Sequence, residues 1–263
     1  MSEPKVAEGL QIETRGPVTW LTLTRPSRRN ALTVEDRLAL AAALYEADHD
    51  PEVRVVVITG HGDYFCAGGD VREFQVERTR AEAEEYAVTK AQTVFRVMRA
   101  MRTPTVARVR GVAAGAGMYL ALGSDIVVAE EGGFFHPGHL DLAVTPDWGA
   151  VWLMPRLMGM ARAKSTMLTG NRIPFDTAER WGLIAECVAG DRLDAVVDDY
   201  CQRIASIPEA PMALTRKGLD ASLDRPLDAF LDWEAMVIAD VLTRPEHRER
   251  VDAFLVRRSR SNS

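Results

Sequence analysis

The stretch PTVARVRGVAAGAGMYLALGSDIVVA, residues 104–129, decides the fold class. It opens with a proline and a short β-branched run that is typical of a buried strand, and it closes with the similar run IVVA. Between the two runs lies GVAAGAG, residues 111–117, within a small-residue-rich segment that we expect to be helical. A strand, a helix and a second strand in this order predict an α/β fold.

Three further strands and a helix precede this stretch in the chain. Residues 9–16 and 18–25 alternate in polarity, which predicts two strands of a hairpin. Thr33, followed by an acidic residue three positions later and then by LALAAALYEA, predicts a helix that ends near His49. Residues 53–60 form a nearly continuous apolar run, as in a strand buried on both faces. The predicted sheet is therefore covered by helices.

Helical patterns dominate the second half of the chain. A charge-rich segment with helical spacing, residues 78–101, precedes the deciding stretch, and beyond Pro146 the pattern becomes mostly helical. A long amphipathic tail covers residues 226–258, and the chain contains no internal repeat or low-complexity linker. We expect an α/β core over residues 1–199 and a helical C-terminal subdomain over residues 200–263.

Composition and charge exclude several classes of protein. With 263 residues, of which 47% are hydrophobic and 27% charged, the chain resembles a soluble globular protein. Its net charge of -6 argues against a wide positive field for nucleic acid. Cys66, Cys187 and Cys201 lie far apart and suggest neither a disulfide framework nor a zinc site. The N-terminus has no apolar leader, and the longest charge-free stretch is shorter than the roughly 20 residues of a membrane span. We expect a cytoplasmic protein without a membrane or nucleic-acid partner.

Two glycine-rich loops carry the chemistry that the residues themselves suggest. The first glycine loop is FCAGGD, residues 65–70, and the second glycine loop is GVAAGAG, residues 111–117. Each follows a predicted strand and precedes a predicted helix. Small residues let backbone N–H groups approach a ligand closely, and one N–H from each loop could converge on a single oxygen as an oxyanion hole. Neither loop carries the lysine of a Walker A motif or the spacing GxGxxG.

Four motifs in this order resemble those of the enoyl-CoA hydratase/isomerase, or crotonase, superfamily. RPSRRNAL, residues 25–32, is similar to the family's RPxxxNAL, and residues 55–74 and 104–129 look like its two strand-and-loop segments. Residues 168–188 resemble its LTGxxxxAxxAxxxGLVxxV stretch. The resemblance implies a crotonase-like fold of repeated ββα units with a helical C-terminal trimerisation region. It also implies a homotrimer or hexamer that acts on an acyl-CoA substrate, with coenzyme A as part of the substrate and no permanently bound cofactor or metal.

The resemblance also implies which residues form the site. Carried over by position, the two oxyanion-hole amides belong to Ala67 and Ala116. Two preorganised donors stabilise the oxygen of a thioester enolate more strongly than that of the neutral ground state. Arginine pairs well with phosphate, so the cluster of arginines near the first strand is expected to contact the nucleotide of coenzyme A. The residues expected to border coenzyme A are Arg25, Arg28, Arg29, Gly68 and Asp70.

The acid/base positions depart from the family pattern. Hydratases of the family use two glutamates, and at those positions this chain has Tyr119 and His139. Ordinary hydration needs groups that move protons to and from water and carbon, so the double replacement argues against it. Asp147 lies where similar dienoyl-CoA isomerases have an acid/base aspartate and similar dehalogenases a nucleophilic one. The alternative role for Asp147 is to cap the following helix.

We therefore expect an acyl-CoA enzyme, an isomerase or an atypical hydratase, that forms a thioester enolate. Asp147 is the expected acid/base, with His139 and Tyr119 assisting. Three residues along an extended strand would place His136 and His139 on opposite faces, so we do not predict a shared metal. Two alternatives remain open. One is a hydrolase that cleaves a carbon–carbon bond in a β-diketone or cyclic ketone with a His/Asp pair, and the other is a non-catalytic binding protein.

Overall fold

The structure, a computed structural model, describes residues 5–7, 9–222 and 224–261. The chain divides into two compact units, Met1–Ala205 and Ser206–Ser263. The boundary predicted after residue 199 falls within the last helix of the first unit, and it stays a prediction about domain organisation.

Strands of the first unit form two sheets. The strands are β1 (Lys5–Ala7), β2 (Leu10–Arg15), β3 (Val18–Leu23), β4 (Val55–Gly60), β5 (Thr105–Val109), β6 (Val112–Ala114), β7 (Ile126–Glu130), β8 (Phe134–His136), β9 (Ile173–Pro174) and β10 (Glu186–Val188). The main sheet has the order β1-β2-β3-β4-β5-β7-β10, and a small sheet has the order β6-β8-β9. Strands β1, β2 and β3 are antiparallel, whereas β3 through β10 of the main sheet are parallel.

Helices alternate with the strands in the first unit and make up the second. They are α1 (Val34–His49), α2 (Arg80–Tyr86), α3 (Thr93–Ala100), α4 (Ala116–Leu122), α5 (Ala150–Met158), α6 (Met160–Thr169), α7 (Phe175–Trp181) and α8 (Leu193–Ala205), with α9 (Glu209–Ser222), α10 (Leu227–Leu242) and α11 (Pro245–Ser261) in the second unit. Their alternation with parallel strands confirms the predicted α/β class.

The strongest local signals correspond to regular elements. All six residues of β4 are buried, as its β-branched run predicts. Helix α1 begins at a capping box, in which the Thr33 hydroxyl accepts from the Asp36 N–H and the Asp36 carboxylate accepts from the Thr33 N–H. These two bonds satisfy backbone donors that the first turn of a helix leaves free.

Weaker signals were interpreted incorrectly. The sequence predicts a helix over residues 111–125, but part of this segment is strand β6. The region beyond Pro146 also contains β9 and β10 in addition to helices. Strands of two or three residues are too short to show a period, and they form through pairing with distant partners. The first glycine loop leads into a 3₁₀ helix, Val71–Gln75, rather than an α-helix.

Asn30 anchors the chain beside the first glycine loop. Its backbone is left-handed, with φ of 57°, and its side chain is buried. The side-chain Nδ2 donates to the carbonyl oxygens of His61 and Tyr64 at 3.0 and 2.7 Å. Asparagine tolerates the left-handed conformation better than most residues and supplies both donors.

Replacing Asn30 by alanine is expected to lower the free energy of unfolding by about 2–4 kcal/mol, because the carbonyls of His61 and Tyr64 lose their donor and the left-handed backbone becomes strained. Urea unfolding followed by circular dichroism measures this loss. Ser27→Ala, at an exposed position of the preceding turn, is the control and should change stability by less than about 0.5 kcal/mol. Equal stability of the two variants would contradict the anchoring role of Asn30.

The second unit consists of the helices α9, α10 and α11. Gly218 of α9 allows the Trp233 ring to approach, since a Cβ atom there would lie 2.9 Å from the ring. Trp233 in turn packs near Phe230, with ring centroids 5.4 Å apart. Several apolar side chains of α10 are exposed, among them Leu227 and Met236. Within the described residues, no helix combines the length and apolar character that crossing a bilayer requires.

Candidate active site

The two glycine loops are hydrogen-bonded to each other. The Cys66 N–H donates to the Val112 carbonyl at 3.2 Å, and the Ala114 N–H donates to the Cys66 carbonyl at 2.9 Å. Together they form a parallel bridge between Cys66 and Ala113. The bridge fixes the first loop, which follows β4, against β6 at the start of the second loop.

Glycine permits this close approach. Gly68 has φ of 104°, and a Cβ atom there would lie 2.9 Å from the Ala114 carbonyl oxygen. A Cβ atom on Gly117 would lie 2.4 Å from the Cys66 carbonyl oxygen. Because real Cβ atoms do not come so close to backbone oxygen, larger residues would force the loops apart.

A cavity of about 320 Å³ opens beside the two loops. Its wall is completed by the segment from His136 to Trp148. The predicted site residues that line it are Ala67, Gly68, Ala116, Tyr119, His139 and Asp147. The structure therefore brings together the expected oxyanion-loop and acid/base residues. The predicted coenzyme A residues that do not line it are Arg25, Arg28, Arg29 and Asp70.

The backbone amides correct one predicted oxyanion donor. The Ala67 N–H donates to the Arg29 carbonyl at 2.9 Å, so the prediction of Ala67 as a donor to substrate is wrong. The N–H groups of Gly69 and Ala116 have no hydrogen-bond partner among the residues described, and both residues line the cavity. Ala116 is the first residue of α4, where helix geometry leaves N–H groups free.

A second contact explains why the Gly69 amide is free. Leu32 forms a parallel bridge with Gly69, in which the Leu32 N–H donates to the Gly68 carbonyl and the Asp70 N–H donates to the Leu32 carbonyl. In a parallel pair the residue between these two bonds directs its own N–H away from the partner. Gly69 is in that position.

Asp147 has an environment suited to proton transfer. Its side chain keeps surface exposed towards the open cavity, yet protein atoms surround the carboxyl group closely enough that burial raises its pKa. Its own backbone N–H and the charge of Arg37 act in the opposite direction. Helix α5 has Gly149 as its N-cap and no side-chain capping bond, so the structure does not support the capping alternative for Asp147.

The raised pKa predicts a stability gain in Asp147→Asn. The folded protein holds the carboxyl proton to higher pH than the unfolded chain does, so folding stability falls as pH rises from the unfolded pKa through the folded pKa. Asparagine carries no charge, so the variant does not have the free-energy cost of holding a charged carboxylate in this environment at neutral pH. The variant is expected to unfold at higher urea concentration than wild type at pH 7, and the gain should shrink as pH falls towards the ordinary aspartate pKa of about 3.9. A gain that does not vary with pH would contradict the assignment.

His139 and Tyr119 line the same cavity and share Met167 as a partner. The His139 Nε2 lies 3.1 Å from the Met167 carbonyl oxygen, and because a carbonyl only accepts, Nε2 carries the hydrogen. The His139 Nδ1 is buried and has no partner among the described residues. The Tyr119 hydroxyl lies 3.7 Å from the Met167 sulfur. Burial, and then the charge of Asp147, raises the pKa of Tyr119, so its hydroxyl stays protonated.

The expected separation of His136 and His139 is wrong, because both side chains line the cavity. Strand β8 ends at His136, and His139 has helical backbone angles, φ -68° and ψ -34°, so strand alternation does not extend between them. The His136 Nε2 contacts the Asp141 carboxylate at 3.0 Å. In the part of the chain that the structure describes, no three potential metal ligands form a cluster.

The arginine cluster is only partly available for a ligand. Arg25 pairs with the buried Asp36 at 3.0 Å, and Asp70 is buried and pairs with Arg28 at 3.3 Å. These contacts give Arg25 and Asp70 structural roles, and their contacts with coenzyme A stay predictions. Arg28 and Arg29 remain exposed at the surface.

Gly69 and Arg37 are among the cavity residues that the sequence did not indicate as part of the site. Gly69 was overlooked because a motif defines a loop and not the direction of each amide in it. Arg37, which is 3% exposed, lines the cavity from the first turn of α1. A signal for Arg37 was present in the sequence, since a charged residue precedes the apolar run of α1 in the turn that carries the capping box.

Comparison with known proteins bears on the fold and on the chemistry. A family model for enoyl-CoA hydratase/isomerase matches residues 13–261. The chain is 33% identical over 245 residues to 1,2-epoxyphenylacetyl-CoA isomerase of Escherichia coli K12, covering 92% of this chain and 93% of that protein. It is 30% identical to crotonyl-CoA hydratase of Syntrophomonas wolfei, covering 95% and 96%. The crystal structure of enoyl-CoA hydratase from Bacillus anthracis superimposes with a TM-score of 0.89 at 26% identity, covering 95% and 96%. These matches confirm the predicted crotonase-like fold.

Proposed function

Since the chain belongs to the enoyl-CoA hydratase/isomerase family and is an enzyme that acts on acyl-CoA, we propose that its cavity moves a proton between carbon atoms of the acyl group. The observation that carries the proposal is the presence, in one cavity, of two free backbone amides and a carboxyl group with a raised pKa. The relatives include 1,2-epoxyphenylacetyl-CoA isomerase, whose name supports an isomerisation on a coenzyme A ester as the general class of reaction.

The amides of Gly69 and Ala116 hold the thioester carbonyl oxygen. When a proton leaves the carbon next to the thioester, negative charge develops on this oxygen, and the two N–H donors stabilise it. The bridge between the loops fixes the two donors before the substrate binds. They therefore stabilise the negatively charged oxygen of the transition state more than the neutral oxygen of the bound substrate. The start of α4 adds the positive end of its backbone dipoles.

Asp147 moves the proton. Its carboxylate takes a proton from the carbon next to the thioester of a β,γ-unsaturated acyl group, which leaves the dienolate. The carboxylic acid then returns the proton to the γ-carbon, so that the double bond shifts and the enzyme regains its starting form. A carboxylate whose pKa is raised is a stronger base than an ordinary aspartate, which favours the first step. Tyr119 and His139 complete the wall around the reacting carbons.

A second candidate is hydrolysis of a carbon–carbon bond in a β-diketone or cyclic ketone. The observation that favours it is the unpartnered Nδ1 of His139, which could accept a proton from water. The same atom would serve an atypical hydratase. Both reactions incorporate an oxygen atom from solvent into product, whereas the isomerisation does not.

The proposal also covers the contacts with coenzyme A, the oligomeric state and the cellular location. The exposed guanidinium groups of Arg28 and Arg29 suit the phosphates of coenzyme A. The exposed apolar side chains of α10 support assembly into a homotrimer or hexamer, which light scattering of purified protein measures. A cytoplasmic location is part of the same proposal.

The test is turnover of a panel of 3-enoyl-CoA, 2-enoyl-CoA and dienoyl-CoA esters in deuterated water that also contains H₂¹⁸O. We expect deuterium at the α- or γ-carbon, a shifted double bond and no ¹⁸O in the product. Appearance of ¹⁸O would favour the hydrolase or hydratase instead. Tight binding of these esters without exchange or turnover would refute the proposed proton transfer.

A further inference from the structure

Arg37 occupies a position that is costly for an arginine. It lies in the first turn of α1, at the positive end of the helix dipole, and its side chain is 4% exposed. Burying a guanidinium group requires partners that replace its hydration, and a helix N-terminus gives no such compensation to a cation. The hydrogen-bond partners of Arg37 therefore show which guanidinium nitrogens are paired within the protein.

The partners satisfy only one of the three guanidinium nitrogens. Nη2 donates to the Glu73 carboxylate at 2.5 Å and to the Tyr86 hydroxyl at 2.7 Å, and the Tyr86 hydroxyl donates to Glu73 at 2.8 Å. Nε is buried with no partner, and Nη1 has none among the residues described. A guanidinium carries five N–H donors, so three of those of Arg37 are unused.

The unused nitrogen Nη1 lies next to the proposed oxyanion hole. It is 3.3 Å from the position that a Cβ atom on Gly69 would occupy, and Arg37 and Gly69 both line the cavity. A hydrocarbon acyl group would use the amides of Gly69 and Ala116 for its thioester oxygen and would offer nothing to Nη1. A polar atom on the acyl chain close to the thioester would satisfy it.

The surrounding charges select the kind of polar atom. Glu73 already neutralises Arg37, and the cavity wall carries two acidic residues, Asp141 and Asp147. A carboxylate on the substrate would therefore approach Arg37 where its charge is already paired with Glu73. A neutral oxygen accepts a hydrogen bond from Nη1 without adding charge.

Resting on the function proposed above, we propose that Arg37 determines specificity by donating a hydrogen bond from Nη1 to a neutral oxygen of the acyl chain. The preferred ligands are then acyl-CoA esters with an oxo or hydroxyl group near the thioester. An isomerase with this feature accepts oxygen-substituted acyl chains in preference to plain hydrocarbon chains of equal length.

Calorimetric titration with acetoacetyl-CoA and butyryl-CoA, which have four acyl carbons each, tests the proposal. Wild type is expected to bind the oxo ester at least about tenfold more tightly, the usual effect of one hydrogen bond from a charged donor. In Arg37→Met the ratio of the two affinities should fall to about one. Tyr86→Phe is the matched control, because it disturbs the same cluster but keeps Nη1, and it should preserve the wild-type ratio. Arg37→Lys is measured in parallel, in case the methionine variant does not fold, and its shorter donor should also reduce the ratio.

Each result has a separate meaning for the two proposals. Equal affinity of wild type for both esters, or a ratio that persists in Arg37→Met or in Arg37→Lys, overturns the role of Arg37 and leaves the proposed proton transfer intact. Absence of binding by either ester overturns the proposed acyl-CoA site itself, and with it the role of Arg37. An equal loss of affinity for both esters in Arg37→Met, with no change in their ratio, marks a structural role and also overturns the proposal.

Discussion

Replacing Asp147 by asparagine should reduce the rate of proton exchange on an enoyl-CoA by about 10²–10⁴-fold, the usual contribution of a positioned acid/base group. Asparagine has nearly the same shape as aspartate but can neither take nor return a proton. Binding of the ester should change little, because the proposed thioester contacts come from the amides of Gly69 and Ala116. Single-turnover exchange in deuterated water separates this loss from any change in affinity.

Asp141→Asn is the control for this experiment. Asp141 also lines the cavity but is exposed and paired with His136, so its replacement should leave the exchange rate within a few-fold of wild type. If instead Asp147→Asn retains full exchange and His139→Ala loses it, the acid/base assignment passes to the histidine. That outcome would favour the hydrolytic reaction over the isomerisation.

Ala116→Pro is expected to lower the catalytic rate by about 10²–10³-fold, because proline has no N–H and the thioester enolate loses one of its two donors. Proline is tolerated at this position better than elsewhere in a helix, since Ala116 is the first residue of α4. The preceding residue is Gly115, which has no Cβ to collide with the proline ring. The variant should therefore fold, and circular dichroism checks that it does.

Ala116→Gly provides the comparison, because it keeps the N–H and changes only the side chain. Its rate should remain close to that of wild type. A folded Ala116→Pro protein with undiminished turnover would show that the Ala116 amide does not contact the thioester oxygen. The same comparison at position 67 should give a different pattern, since the Ala67 amide is already bonded to Arg29 within the chain.

Much of the architecture could be predicted from local sequence. The hairpin, β4 and α1 each have a period, a cap or a turn residue that acts within a few positions of the chain. Short strands such as β6 and β10 could not be predicted, because they form only when distant strands are present to pair with them. The same reason explains why the small sheet was missed entirely.

The sequence could predict which residues surround the candidate site, but not which backbone amides in it are free or which side chains contact each other. The motifs placed Ala116, Tyr119, His139 and Asp147 around one cavity, and the structure agrees. Which amide of the first loop is free depends on a bond to Arg29, which belongs to a remote turn of the chain. The inward position of Arg37 likewise depends on partners from two later segments. Hydrogen bonds between segments far apart in sequence leave no pattern within either segment.

The bridge that joins the two glycine loops has a consequence for how such enzymes diversify. Both proposed donors to the thioester oxygen are peptide groups, so most point mutations in the gene would alter a side chain and leave these donors in place. Substitutions at the proposed acid/base positions 119, 139 and 147 would therefore leave the two amides that are proposed to stabilise an enolate in place. New reactions would then evolve through successive side-chain substitutions in an enzyme that keeps its oxyanion-binding amides throughout.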